Sequence, residues 1–454
     1  MQLDLLLRDG TVLTSLGAAR VDIGIRAGRI EWVGTGDRAA REVLSVKGLH
    51  VLPGVIDSQV HFREPGAEHK EDLQTGSRAA VLGGVATVYE MPNTEPATST
   101  PDALADKLER ARGRMWCDHA FFVGARPDNL DRLGELERLP GTPGVKMFLG
   151  RSTGGLLVQD ESAIRSALAH GRRRMAVHSE DQARLDERHH LAREAGHPRA
   201  HPDWRDAETA RRSTERLLRL SSETGRPVHV LHVTTAEEVE LLAAARSLAT
   251  FEVTPQHLTL AAPDCYEELG TFAQMNPPIR EARHREALWE AVRSGLVDVI
   301  GSDHAPHTRD EKARPYPESP AGMPGVQTLL PLMLDHVSQG RLSLERLVEL
   351  VCSGPARIYG ARRKGRIEPG YDADFTIVDL ETERRVEESW LASRCGWSPF
   401  TGRTLRGWPI FTIIRGHQVM RDGEVLGDPS GVPVEFDLGD SGDRSAVDRV
   451  PVGA

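Results

Sequence analysis

Between residues 51 and 301, short apolar runs rich in β-branched residues alternate with stretches patterned at helical spacing. The expected strands cover 51–61, 85–91, 119–123, 144–149, 175–178, 228–232, 250–253 and 297–301. Helical patterns fall between most of them, for example 162–170, 207–222 and 236–249. Eight strands separated by helices predict an α/β fold, a parallel (β/α)8 barrel of the TIM type. The two ends read differently. Residues 1–52 break into short strands over 3–7, 19–25, 29–33 and 42–45, with Asp9-Gly10, Ala27-Gly28 and Gly34 as punctuation. The segment 363–428 reads the same way, with apolar runs over 375–378 and 410–416. Two β-rich ends around a long middle predict that the ends pair with each other. The middle, 53–362, is then the barrel. The last stretch, 429–454, is rich in Gly, Pro, Asp and Ser and is expected to be a mobile tail with little to bury.

Composition narrows the class. The chain has 454 residues, 39% hydrophobic and 27% charged, as in a globular enzyme. No apolar stretch reaches the roughly 18–20 residues that cross a bilayer, and the first residues lack a secretory pattern, so no membrane partner is expected. Four scattered cysteines, with no C-x-x-C pair, argue against a disulfide framework and a thiolate metal site and favour the cytoplasm. The net charge of −10 disfavours nucleic acid as a partner. A small anionic substrate needs only local positive charge.

Chemistry collects at the ends of the expected strands, where barrel active sites are built. The first strand ends in Asp57-Ser-Gln-Val-His61-Phe-Arg63, and alternation puts Gln59 and His61 on one face. Arg63 just beyond can hold an anion. Asn93 follows the second strand, Lys146 lies on the fourth, and His178 and His232 end the fifth and sixth. Asp303 follows the eighth in Gly301-Ser-Asp-His-Ala-Pro-His307. Alone, each has a plainer role: a strand-end His can be a hydrogen-bonded structural residue, Lys146 can snorkel, and Asp303 can cap a helix. Together, three His, one Lys and one Asp on five strands point to a metal site. His229 falls on the opposite face and reads as structural. His189, His190, His197 and His201 lie in a polar, Arg-rich segment and read as solvated. Imidazole and carboxylate without thiolate favour zinc, with manganese or cobalt as alternatives. A lysine belongs in such a set once carbon dioxide has capped it as a carbamate able to bridge two ions. The water such ions acidify would lose its proton to Asp303, which returns it to a leaving nitrogen.

These residues resemble the amidohydrolase superfamily and, within it, the dihydroorotases. The resemblance runs over nearly the whole chain. It is carried by Asp57-x-x-Val-His-Phe-Arg-Glu-Pro-Gly66, His69-Lys-Glu-Asp72, Met91-Pro-Asn-Thr94, Gly144-Val-Lys146 and His178-Ser-Glu-Asp181. It continues in Leu231-His-Val-Thr-Thr235, Met275-Asn-Pro-Pro-Ile-Arg280, Gly301–His307 and Gly322-Met-Pro-Gly-Val-Gln-Thr328. It implies a barrel flanked by a small β-sandwich made from both chain ends. It also implies reversible hydrolysis of dihydroorotate to carbamoyl aspartate in pyrimidine biosynthesis. His61 and Asp303 would hold one zinc, His178 and His232 a second, with carboxylated Lys146 between them. Arg63, Asn93 and His307 would hold the substrate carboxylate; Asn276 and the backbone near Gly322 would meet the ring.

The departure is Gln59, where the family pattern has a metal-binding His. An amide oxygen is the weaker ligand, so one or two ions are expected, with Gln59 an uncertain ligand. Two other readings stand beside this one: an allantoinase- or hydantoinase-type cyclic amidase, or a non-catalytic companion of a transcarbamoylase. The expected assembly is a homo-oligomer. Residues 308–324, bounded by Gly and Pro, are the segment expected to move over the substrate.

Overall fold

The structure, a computed structural model, describes residues 2–151 and 155–438. Eight parallel strand positions form the barrel: Val55–Val60, Val85–Glu90, Asp118–Phe121 continued by Val123–Gly124, Val145–Phe148, Met175–His178, Val228–Val230, Ala249–Val253 and Val299–Ile300. Every residue of these strands is buried, as a sheet covered on both faces requires. The ring closes through a single parallel bridge, Val60 to His304, in which His61 N–H donates to the His304 carbonyl (2.7 Å). Ser302 N–H supports the seam by donating to Asp57 Oδ1 (3.0 Å). Between the strands lie helices such as Leu73–Leu82, Glu161–Ala169, Ala207–Thr224 and Ala236–Ala244. Ala207–Thr224 starts at an Asp206 cap that accepts from Thr209 N–H and ends at Gly225 with φ 69°.

The two chain ends form one β unit. A four-stranded sheet runs in the order Arg29–Gly34, Asp22–Arg26, Leu3–Arg8, Ala40–Ser45. A seven-stranded sheet places His50–Pro53 between Thr11–Thr14 and Phe375–Arg385, so the first and last parts of the chain share hydrogen bonds. Leu5, Leu7, Ile23, Val51, Phe375 and Ile377 fill the space between them.

The expected single strand 51–61 is two strands. His50–Pro53 belongs to the sandwich and Val55–Val60 to the barrel, and the chain changes sheet at Gly54. A Cβ there would lie 2.8 Å from the Asp374 Cβ and 2.9 Å from the Ala86 Cβ. Both halves are apolar, so the hydrophobic pattern cannot show the break. The junction is stapled by Lys364, whose Nζ donates to Asp118 Oδ2 (2.6 Å) on the third barrel strand and to Asp374 Oδ2 (2.5 Å) beside the sandwich.

Residues 429–438 differ from the expected tail. They lie along the barrel, where Gly431 N–H donates to the Met115 carbonyl and Val434 N–H to the His119 carbonyl (both 2.8 Å). Val434 and Phe436 are buried, and Phe436 meets Tyr89 edge-on. The polar composition hid these two apolar anchors. The rest of that expected tail, 439–454, lies outside the described residues. Among the described residues no helix is long and apolar enough to cross a membrane. The four cysteines are free and buried.

Candidate active site

The first barrel strand delivers Gln59 to the mouth of the barrel, and His61 follows directly beyond its end, both with neighbours that fix their atoms. The His61 ring is buried, and burial lowers its pKa although Asp303 opposes this, so the neutral form is favoured. Its Nδ1 lies 2.8 Å from Asn93 Oδ1; with that oxygen as the acceptor, the hydrogen sits on Nδ1. That leaves a lone pair on Nε2 facing Asp303 Oδ1 at 3.2 Å. Gln59 Nε2 donates to the same Asp303 oxygen (3.1 Å), and its buried Oε1 has no donor.

The opposite wall repeats the arrangement. His178 Nε2 donates to Glu180 Oε2 (2.9 Å). Glu180 is held ionised: burial works against it, but Arg205 and His178 together keep its carboxyl well below the usual range. The His178 Nδ1 lone pair therefore faces His232 Nε2 at 3.0 Å. Burial also lowers the His232 pKa, and its Nδ1 is buried without a partner. At the first pair two acceptors face each other; at the second, His232 has one hydrogen for two ring nitrogens, so either its Nδ1 is stranded or two lone pairs meet, and a cation relieves both.

Lys146 is buried between these pairs, with its Nζ 4.5 Å from the centre of the Phe148 ring. Burial pushes the amine down to about 7, against the pull of Asp303 and Glu252. Among the described residues, no three His, Cys, Asp or Glu side chains group closely enough to hold an ion. The reason is visible in the sequence: each pair has two such donors, and the third positions are Gln59 and Lys146.

Strain marks the same residues. Arg63, His232 and Asp303 have φ of 65°, 39° and 45°, left-handed conformations that cost a non-glycine residue on the order of 1–3 kcal/mol each.

A cavity of about 280 Å³ opens over this floor. Arg63 lies in its wall, with its Nε donating to the Pro306 carbonyl (3.1 Å). Burial lowers the guanidinium to about 10, so it is charged at neutral pH. Asn276 and Gly322 also line the cavity. Asn93 and His307 stand behind the wall: Asn93 holds His61, and His307 Nε2 donates to the Ala321 carbonyl (3.1 Å), 3.4 Å from Arg63 Nη2.

Sequence reading missed part of this wall. His201, expected in solvent, is 1% exposed and lines the cavity beside Trp204, and His189 lines it too. Their surrounding segment is polar because its other face is outside. Glu180 and Arg205 are 25 positions apart and make a buried ion pair that only the fold brings together. The Glu two residues beyond a strand-end His was the available signal. His229 is buried on Thr250 and Glu252, as its opposite-face position implied.

The chain belongs to the Amidohydrolase family, matched over residues 50–419. That places it among hydrolases of carbon–nitrogen bonds in cyclic amides. It is 38% identical to a dihydroorotase of Halobacterium salinarum over 89% of this chain and 94% of that one. It is 34% identical to an allantoinase of Escherichia coli over 92% and 95%. The L-hydantoinase (dihydropyrimidinase) from Arthrobacter aurescens superposes with a TM-score of 0.91 at 30% identity, over 95% of this chain and 100% of that one.

Proposed function

We propose that the protein is a dihydroorotase that interconverts dihydroorotate and carbamoyl aspartate, a ring-forming step in pyrimidine biosynthesis. The observation that carries the reading is the floor around Lys146, where the His61–Asp303 and His178–His232 pairs leave Gln59 Oε1 and His232 Nδ1 without partners, with the Arg63 guanidinium in the wall above it. The donor set fits divalent ions of the zinc type. His61 and Asp303, with Gln59 Oε1, would hold one, His178 and His232 another, and Lys146 carboxylated at Nζ would join them. An amine near pKa 7 has the neutral fraction that carbon dioxide needs. Bound there, such an ion polarises the ring amide and acidifies a water molecule.

The chain's own residues do the rest. Asp303 Oδ1 accepts from Gln59 Nε2 (3.1 Å), which leaves Oδ2 for the chemistry. Oδ2 therefore takes the water's proton and returns it to the leaving ring nitrogen. Arg63 pairs with the substrate carboxylate, a contact that allantoin and unsubstituted hydantoin cannot make. Asn93 and His307 act from behind, on His61 and on the loop carrying Ala321.

The test is metal analysis together with turnover of dihydroorotate, allantoin and hydantoin, on the native protein and on Gln59→His. Dihydroorotate should be preferred by about tenfold or more in kcat/KM. Gln59→His should raise metal content and activity together. Preference for allantoin would assign the site to the neutral-ring amidases. A protein without metal or turnover that co-purifies with a transcarbamoylase would be the non-catalytic companion.

A further inference from the structure

Asn276 presents an amide to the cavity, and the end of that amide facing the substrate ring decides what the ring must offer. Amide oxygen and nitrogen have the same shape, so a neighbour must settle which is which. That neighbour is His201. Its Nε2 lies 3.1 Å from the Met275 carbonyl oxygen and 3.0 Å from Asn276 Oδ1. A backbone carbonyl only accepts, so His201 Nε2 bears the hydrogen. A hydrogen-bearing Nε2 then requires an acceptor from Asn276. Oδ1 is fixed inward, and Nδ2 with its two hydrogens is left for the cavity.

His201 is built to hold this state. It is buried edge-on to Trp204 and Tyr316, with ring centres 5.7 and 5.9 Å apart. The Tyr316 hydroxyl lies 3.4 Å from Nδ1, the nitrogen that accepts. Burial, with Arg205 adding to it, pushes the imidazole down to about 3, so the ring stays neutral.

We infer that His201 is a positioning residue for substrate specificity: it holds the Asn276 oxygen, turns the amide hydrogens to the cavity, and so selects a ring that presents a carbonyl oxygen at that wall. A ring with an N–H at that point meets donor against donor. The choice of substrate rests on the dihydroorotase reading; the orientation of Asn276 does not.

The experiment measures kcat and KM for dihydroorotate in native protein, His201→Phe and His201→Gln. Phenylalanine keeps the edge contacts and removes the hydrogen; glutamine restores a donor. His201→Phe should raise KM about tenfold with kcat within about threefold, the cost of one loosened hydrogen bond to substrate. His201→Gln should recover most of that loss. A native KM in His201→Phe overturns the inference, and so does a Gln variant as damaged as the Phe one. Should His201→Phe fail to fold, a crystal structure of native protein with bound dihydroorotate decides: a ligand carbonyl on Asn276 supports the inference, and a ligand N–H there overturns it. If native protein ignores dihydroorotate but opens allantoin, the dihydroorotase reading falls, and the same variants compared on allantoin still test His201.

Discussion

Asp303 carries its chemistry in a left-handed backbone conformation, and the same holds for Arg63 and His232. Three side chains at the mouth of one barrel are aimed by backbone that L-residues disfavour, and the surrounding core supplies the energy to keep them so. Asparagine tolerates this conformation better than most residues. Asp303→Asn should therefore fold with little change in melting temperature while losing about a thousandfold in kcat, since the amide cannot take the proton. A comparable loss of thermal stability would mean the carboxylate is structural. At this scale the sequence was most legible where alternation applied. Gln59 and His61 share a face because side chains on a strand repeat every two residues. His178 was legible as a strand end, whereas His232 lies two residues past Val230, where its strand stops. His201 was not, because a buried imidazole inside a polar helical turn has no period to betray it. Glu180 and Arg205 needed the third dimension, since nothing in a linear pattern pairs positions that far apart.

Among elements, the segment 308–324 is held by more than its ends. The short helix Arg309–Lys312 begins at a capping box formed by Thr308 and Glu311. From its last turn the buried Lys312 Nζ donates to the carbonyls of Gln274 (3.3 Å), Pro320 (2.9 Å) and Gly322 (3.1 Å). Burial pushes this amine down to about 7, while three carbonyl acceptors take all the hydrogens of the ammonium form. One side chain thus fixes the backbone that lines the cavity. Lys312→Met keeps the volume and strands three carbonyls, at a cost of about 1–3 kcal/mol. Faster amide exchange over 313–324 and a raised KM should follow. Unchanged exchange there would show that the segment is held by its packing alone. The barrel strands themselves were readable from apolar runs, but the sheet change at Gly54 was not. Composition is the same on both sides, and the requirement for glycine comes from Asp374, some 320 positions away in the chain.

At the scale of the molecule, the sandwich and the barrel meet over Lys364, Asp118, Asp374 and Arg415. Arg415 also pairs with Asp118. Burial works to raise the Asp118 carboxyl, but Lys364 and Arg415 outweigh it and hold it below its ordinary value. Its contribution is therefore present above the ordinary aspartate pKa of about 4 and is lost as pH falls through the lower folded value. Burial likewise opposes the Lys364 charge, yet its carboxylate partners raise its pKa, so its contribution is present at neutral pH and lost only as pH rises through the raised value. Lys364→Met should cost about 3 kcal/mol at pH 7 by leaving buried carboxylates short of a partner. The gap in melting temperature between native and variant should narrow from pH 7 to pH 4, because the variant's carboxyls protonate more easily. A gap independent of pH would remove the electrostatic account.

The pairing of His50–Pro53 with Phe375–Arg385 also sets a timetable for a chain emerging from a ribosome. The Val55 amide finds its Thr376 acceptor 321 residues later. At synthesis rates of roughly 5–20 residues per second, the amino-terminal strands wait for tens of seconds with an open edge. A nascent chain of this design is exposed to mispairing with its neighbours on the same messenger, and its yield should depend on the chaperones that meet it there.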